Sequence, residues 1–267
     1  MKINMLNRND SEIKFVVEGI NSDFAGELRR IMLSELPTMA IEWVDFIKND
    51  SPLPDEVIAN RLGQIPFTFD KRAYNLPSKC KCKGEGCSRC QVKMSLKKKG
   101  PGVVYASDIK SNAKDVKPVF ERIPIVELFD DQELEFNAIS QLGLGKDHAK
   151  WQAAVVGYKN VPSISVNVKD KKSVETLASL CPRHVLKANN GKIVVTNPLE
   201  CNMCMQCVEA VEDGIVKGEV KVQAIEDSFV FTVETVSGWK AEEIVSKAVE
   251  ILETKMKDFV KAVRKIK

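Results

Sequence analysis

Residues Asn21 to Asp45 read NSDFAGELRRIMLSELPTMAIEWVD, and the hydrophobic period of this stretch changes halfway along it. Asn21, Ser22 and Asp23 supply side chains that cap a helix, and Phe24, Leu28, Ile31, Met32 and Leu36 follow three and four residues apart. That spacing predicts an amphipathic helix ended by Pro37, which cannot continue it. Met39 to Phe46 then reads as a strand. Upstream, Ile13, Phe15 and Val17 alternate with their neighbours as a strand with one face on a core. Helix and strands interleave without a repeating unit, so the expected class is α+β.

Working outward, a short helix starts near Pro54 and carries Val57, Ile58, Arg61 and Leu62. From Lys71 to about Gly102 the pattern dissolves into a loop rich in Gly, Lys and Cys. Short strands follow at Val103 to Ile109, Glu133 to Ile139 and Ser163 to Val168. A second cysteine-bearing segment, 169–218, has little continuous periodicity and reads as a small inserted module. Two strands, Val220 to Ile225 and Phe229 to Thr235, precede a long helix beginning near Trp239. Ile244, Ala248, Ile251, Leu252, Met256, Phe259, Val263 and Ile266 make one stripe along about seven turns of that helix. Such a stripe either covers the chain's own sheet or packs against another chain.

The 267 residues suit two or three units, and 44% hydrophobic with 29% charged residues is ordinary for a globular protein. A net charge of +3 gives no compositional reason to expect DNA or an anionic membrane as a direct partner. Met1 to Asp10 has no signal-peptide core, and no segment reaches the ~18 apolar residues of a span, so a cytoplasmic location with no membrane role is expected. Thiols stay reduced there, and eight cysteines in two tight groups read as metal ligands rather than disulfides.

Cys80, Cys82, Cys87 and Cys90 follow the pattern C-x-C-x4-C-x2-C. Four thiolates satisfy tetrahedral zinc, and Gly84 and Gly86 let the turn fold back, so one structural Zn2+ is expected. Lys81, Lys83, Arg89 and Lys93 oppose the negative charge of such a centre. Cys201, Cys204 and Cys207 form C-x2-C-x2-C, and Cys181 precedes Pro182, which together resemble the halves of a ferredoxin motif. In a two-cluster ferredoxin, cysteines would also stand at 171, 174, 177 and 211. Here those positions hold Lys171, Val174, Leu177 and Val211. The missing four would have held one cluster and the present four the other, so one [4Fe-4S] cluster on Cys181, Cys201, Cys204 and Cys207 is expected. A [3Fe-4S] form follows if Cys181 sits too far away or the fourth iron is lost, and zinc on the same sulfurs is the competing reading. Apolar residues at three vacated positions predict a filled core in place of the lost cluster.

Three stretches, NSDFAGELRRIMLSELPTMAIEWVD at 21–45, DEVIANRLGQIPF at 55–67 and GLGKDHAKW at 143–151, resemble the D subunit of archaeal DNA-directed RNA polymerase. That family is the counterpart of bacterial alpha and of the third-largest subunit of eukaryotic polymerase II. The resemblance spans essentially the whole chain, including the thiolate loop and a ferredoxin-like insertion. It implies an alpha-like dimerisation domain built from 1–46, 155–168 and 219–267, an inserted mixed β domain at 47–154 with its zinc loop, and an iron–sulfur module at 169–218. It further implies pairing with the small subunit L and contact with the large catalytic and small accessory subunits, DNA being met only indirectly. Phe24, Leu28, Arg29 and Arg30 on the first helix, and Leu252, Met256 and Phe259 on the last, would lie at that interface.

Neither His148 nor His184 sits in a nucleophile motif, and no catalytic residue is expected on this chain, the nucleotidyltransferase activity belonging to the enzyme as a whole. The competing accounts are a ferredoxin-type electron carrier or cluster-based redox sensor, and a zinc protein that binds nucleic acid. Few aromatics and a near-neutral charge disfavour the last.

Overall fold

A computed structural model describes residues 1–266, so Lys267, the final residue of the expected 219–267 segment, lies outside the described residues. In chain order the strands and helices are β1 (Lys2–Arg8), β2 (Glu12–Glu18), α1 (Ser22–Ser34), β3 (Pro37–Asn49), α2 (Asp55–Gly63), β4 (Gln91–Lys99), β5 (Gly102–Tyr105), β6 (Lys110–Ser111), β7 (Pro124–Leu128), β8 (Glu133–Leu144) and β9 (Ala154–Asn167). They continue as α3 (Lys171–Leu180), β10 (Leu186–Asn189), β11 (Lys192–Val195), α4 (Gln206–Glu212), β12 (Glu219–Thr235) and α5 (Ala241–Arg264). The class is α+β, as the interleaved periods require.

Two compact units divide the chain: Met1–Asn7, Lys14–Gly26 and Gly157–Thr232 in the first, and Arg8–Ile13, Glu27–Val156 and Val233–Lys267 in the second. The first unit holds most of a four-stranded sheet in the order β1-β2-β12-β9. Phe15 stacks on Phe231 with ring centroids 5.4 Å apart, and Tyr158 closes on the same ring. The three rings come from the neighbouring strands β2, β12 and β9, where cross-strand side chains on one face meet.

The two strands expected over 220–235 are one, β12, without a turn. Its exposed midsection mimics a loop in sequence. Phe229, Val230, Phe231 and Val233 are buried at one end, while Val220 and Val222 at the other join the core of the cysteine-bearing segment. That core gathers Val168, Val174, Leu177, Leu186, Ala210 and Val216 around them.

The second unit is built on the sheet β3-β8-β4-β6, all antiparallel, with Pro37 opposite Leu144 and Lys99 opposite Glu133. Strand β4 corrects the expected loop over 71–102, since Val92, Met94 and Leu96 alternate into the core beneath a lysine-rich outer face. The run Lys97, Lys98 and Lys99 hid that alternation. Strand β7 is likewise unexpected. Its Ile125, Val126 and Leu128 are buried, and it pairs with β5.

The GLGKDHAKW stretch has a packing reason. A side chain at Gly143 would sit 2.2 Å from the Trp151 ring, so only glycine lets that indole lie on β8. The Trp151 Nε1 donates to the Gln141 carbonyl at 3.3 Å, and its own carbonyl accepts from Thr38 Oγ1 at 2.8 Å. His148 serves the same corner, its Nδ1 accepting from the Lys150 backbone N–H at 3.0 Å.

Candidate metal centres

Two tight turns bring the first four cysteines together. The Lys83 N–H donates to the Cys80 carbonyl at 3.0 Å, and the Cys90 N–H donates to the Cys87 carbonyl at 2.9 Å. Lys83, Gly84 and Gly86 take left-handed φ values of 54, 90 and 96° between the two cysteine pairs. Glycine meets that demand at no steric cost, and Lys83 is the strained exception.

The sulfur separations are 3.6 Å for Cys80–Cys87, 3.5 Å for Cys82–Cys90 and 3.8 Å for Cys87–Cys90. All four sulfurs lie within 4.8 Å of one another. A tetrahedron with metal–sulfur bonds of ~2.3 Å has edges of about 3.8 Å, so the four are positioned to hold one metal ion. Their protonation points the same way. The Gly86 N–H, and after it a hydrogen bond from Cys80, holds the Cys82 thiol down at about 6. Burial pushes the neighbouring Cys90 up to about 12. Thiolates so close cannot all ionise by themselves, and a cation in their midst removes the conflict.

The second set is arranged differently. Cys181 ends α3, Cys201 follows a short turn at Pro198–Glu200, Cys204 lies in the next loop, and Cys207 enters α4. All four line one pocket with Ile164, Leu186, Met203 and Val222. Among the described residues they do not meet the one-ion spacing of the first set. A cubane spreads its thiolates over separate irons at the corners, so wider separation fits such a group.

Backbone N–H groups are aimed at the sulfurs, from Val185 to Cys181 and from Met203 to Cys201, each at 3.4 Å. Met203 and Met205, on either side of Cys204, adopt left-handed φ of 54 and 65°. Non-glycine residues take that conformation at a cost, and such turns form the concave N–H nests that receive anionic groups. Burial raises the Cys207 pKa, a backbone N–H partly opposes the rise, and the charges of Cys201, Cys204 and Cys181 add to it.

The vacated ligand positions bear out the filled-core expectation at two points. Val174 is 1% and Leu177 0% exposed, both in the segment's core, and Val211 packs against it. Position 171 does not contribute, because Lys171 opens α3 with its side chain exposed.

A family model for the RNA polymerase Rpb3/RpoA insert domain matches residues 44–164, which include the 80–90 loop but not the second cysteine set. DNA-directed RNA polymerase subunit Rpo3 of Thermococcus kodakarensis is 39% identical over 268 residues, covering 100% of this chain and 99% of its own length. The Rpo3 subunit of Methanosphaera stadtmanae is 38% identical over 266 residues, covering 97% of each chain. The chain belongs to the Rpo3 family. That of Methanothermobacter thermautotrophicus is 39% identical over 264 residues, covering 97% of this chain and 98% of its own. Relatives that align end to end with this Rpo3-family chain leave the electron-carrier account without support.

The contact residues expected from the resemblance separate into two groups. Leu28 is 4% exposed and spent on the chain's own core, and half-buried Arg29 donates through Nε to the Val156 carbonyl at 3.0 Å. Phe24 is half-buried and Arg30 is exposed, bound to Glu27 at 2.7 Å. On α5 the division runs along the axis. Ile244 and Ala248 are buried and Leu252 half-buried, while Met256 and Phe259 are 54% and 66% exposed. Val260, which the stripe in sequence passed over, is exposed beside them. Among the described residues no helix is long and apolar enough to cross a membrane.

Proposed function

We propose that this Rpo3-family chain is a non-catalytic assembly subunit of RNA polymerase, pairing with the small subunit L so that the dimer forms a platform for the large catalytic subunits. The observation that carries the reading is the outer half of α5, where Met256, Phe259, Val260 and Val263 are exposed on a helix whose first half buries Ala241, Ile244 and Ala248. Large apolar side chains grouped on one exposed face mark an interaction site more than a solvated one. Half-buried Phe24 and exposed Arg30 on α1 are kept as contact residues in this reading, which also takes the expected three-part division, with 47–154 and 169–218 inserted between the ends. Zinc on Cys80, Cys82, Cys87 and Cys90 is supported by the tetrahedral separations. One [4Fe-4S] cluster on Cys181, Cys201, Cys204 and Cys207 is supported by the single pocket that all four line and by its sulfur-directed N–H groups.

Co-expression with subunit L tests the pairing. The wild type is expected to co-purify through high salt, and the double variant Met256→Asp/Phe259→Asp to lose the partner while its own helix content stays. Retention of L by that variant would remove α5 from the interface.

A further inference from the structure

We infer that Lys14, Lys159 and Arg183, gathered around Glu200 beside Cys201, form a cationic wall that raises the reduction potential of an iron–sulfur cluster held by the second cysteine set. The inference rests on the cluster reading above and goes beyond it, assigning a role to residues that are not ligands.

The four come from separate parts of the first unit: Lys14 from β2, Lys159 from β9, Arg183 from the segment after α3, and Glu200 from the turn before Cys201. Lys159 Nζ donates to the Cys201 carbonyl at 2.9 Å, on the peptide of a ligand. Lys14 Nζ meets Glu200 Oε1 at 2.6 Å, and Arg183 Nη2 meets Oε2 at 3.3 Å. Arg183 also donates through Nε to the Glu200 carbonyl at 3.4 Å. All four line one pocket beside Tyr158 and Thr232.

Two cations pair with a single carboxylate there and a third, Lys159, lines the same pocket, an excess of two positive charges in a partly desolvated place. Bringing like charges together and burying one of them is unfavourable unless negative charge stands close by. Four thiolates around an iron–sulfur core supply it, with a total of about −2 when oxidised and about −3 after one electron enters, no bond being made or broken. The excess cations therefore favour the reduced state more than the oxidised one. Glu200 has two opposing roles: it positions Lys14 and Arg183, and its own charge subtracts from theirs.

Redox titration with dithionite of the anaerobically purified full-length chain, followed by visible absorbance and electron paramagnetic resonance, reads the effect. Lys159→Met is expected to shift the midpoint to more negative potential, Lys159→Arg to restore it, and Glu200→Gln to shift it to more positive potential. Opposite signs separate charge from structure, since mere loosening of the pocket would move both variants one way. If Lys159→Met loses iron, Arg183→Met takes its place in the comparison with Glu200→Gln. Unmoved midpoints, or shifts of one sign, in variants with wild-type iron and sulfide would overturn the inference alone. A wild type carrying zinc and no sulfide would overturn the cluster reading and the inference together.

Discussion

The 80–90 loop and the 181–207 segment each assemble four cysteines, yet they do so by different means. In the loop the ligands fall within eleven residues, the sulfurs touch, and only Cys80 and Cys90 are buried. The residues between them are Lys, Gly, Glu, Ser and Arg, so the loop itself supplies no apolar side chain to a core. In the later segment the ligands come from a helix end, a turn, a loop and a second helix, and a core centred on Val174 and Leu177 stands behind them. On the proposed reading, a metal would be the whole of one small structure and only a part of the other. At the positions where a two-cluster ferredoxin would carry further cysteines, Val174 and Leu177 fill that core.

The largest expected effect tests the first half of that contrast. Structural zinc contributes about 10–16 kcal/mol of apparent binding free energy in small peptides, and zinc on the proposed site would hold a loop whose own residues offer little else. Cys90→Ser is expected to abolish zinc binding and open 71–90 to limited proteolysis, while β4 stays protected. A variant retaining stoichiometric zinc and wild-type protection would break the comparison. Next comes the core of the other region. Leu177→Ala should cost about 2–5 kcal/mol of that segment's stability, read by hydrogen exchange in α3 and β10, because a fully buried leucine leaves a cavity. A cost below ~1 kcal/mol would mean that the ligands alone hold the segment.

The smallest effect involves neither cysteine set and calibrates both. Hydrogen bonds from Arg30, and after it Lys255, hold the Glu27 carboxyl below its ordinary 4.5. A lowered folded-state pKa contributes stability that is present above 4.5 and lost as pH falls through the folded value. Glu27→Gln should therefore cost under about 1 kcal/mol at pH 7 and nothing once the carboxyl is protonated, as denaturant midpoints would report. A penalty that persists in acid would assign the effect to packing instead.

Much of this was legible from local pattern. Asn21 Oδ1 accepts from the Phe24 N–H at 2.9 Å at the expected helix start, and the 80–90 spacing brings its four sulfurs together. Strand β4 was missed because three consecutive lysines outweighed three alternating apolar residues in a short window. The expected break between Val220 to Ile225 and Phe229 to Thr235 is absent because β12 runs on, and the Asp227 carbonyl within it accepts from the Gly19 N–H at 2.7 Å. Composition cannot report such a contact.

The sequence by itself determined which cysteines belong together, which helix faces are apolar and which family the chain resembles, since spacing and periodicity are written along the chain. Tertiary structure alone decided how far along α5 the apolar stripe is consumed by its own core, and that Lys14, Lys159, Arg183 and Glu200 meet. Burial and charge clustering depend on distances between residues far apart in sequence, and no window along the chain contains them.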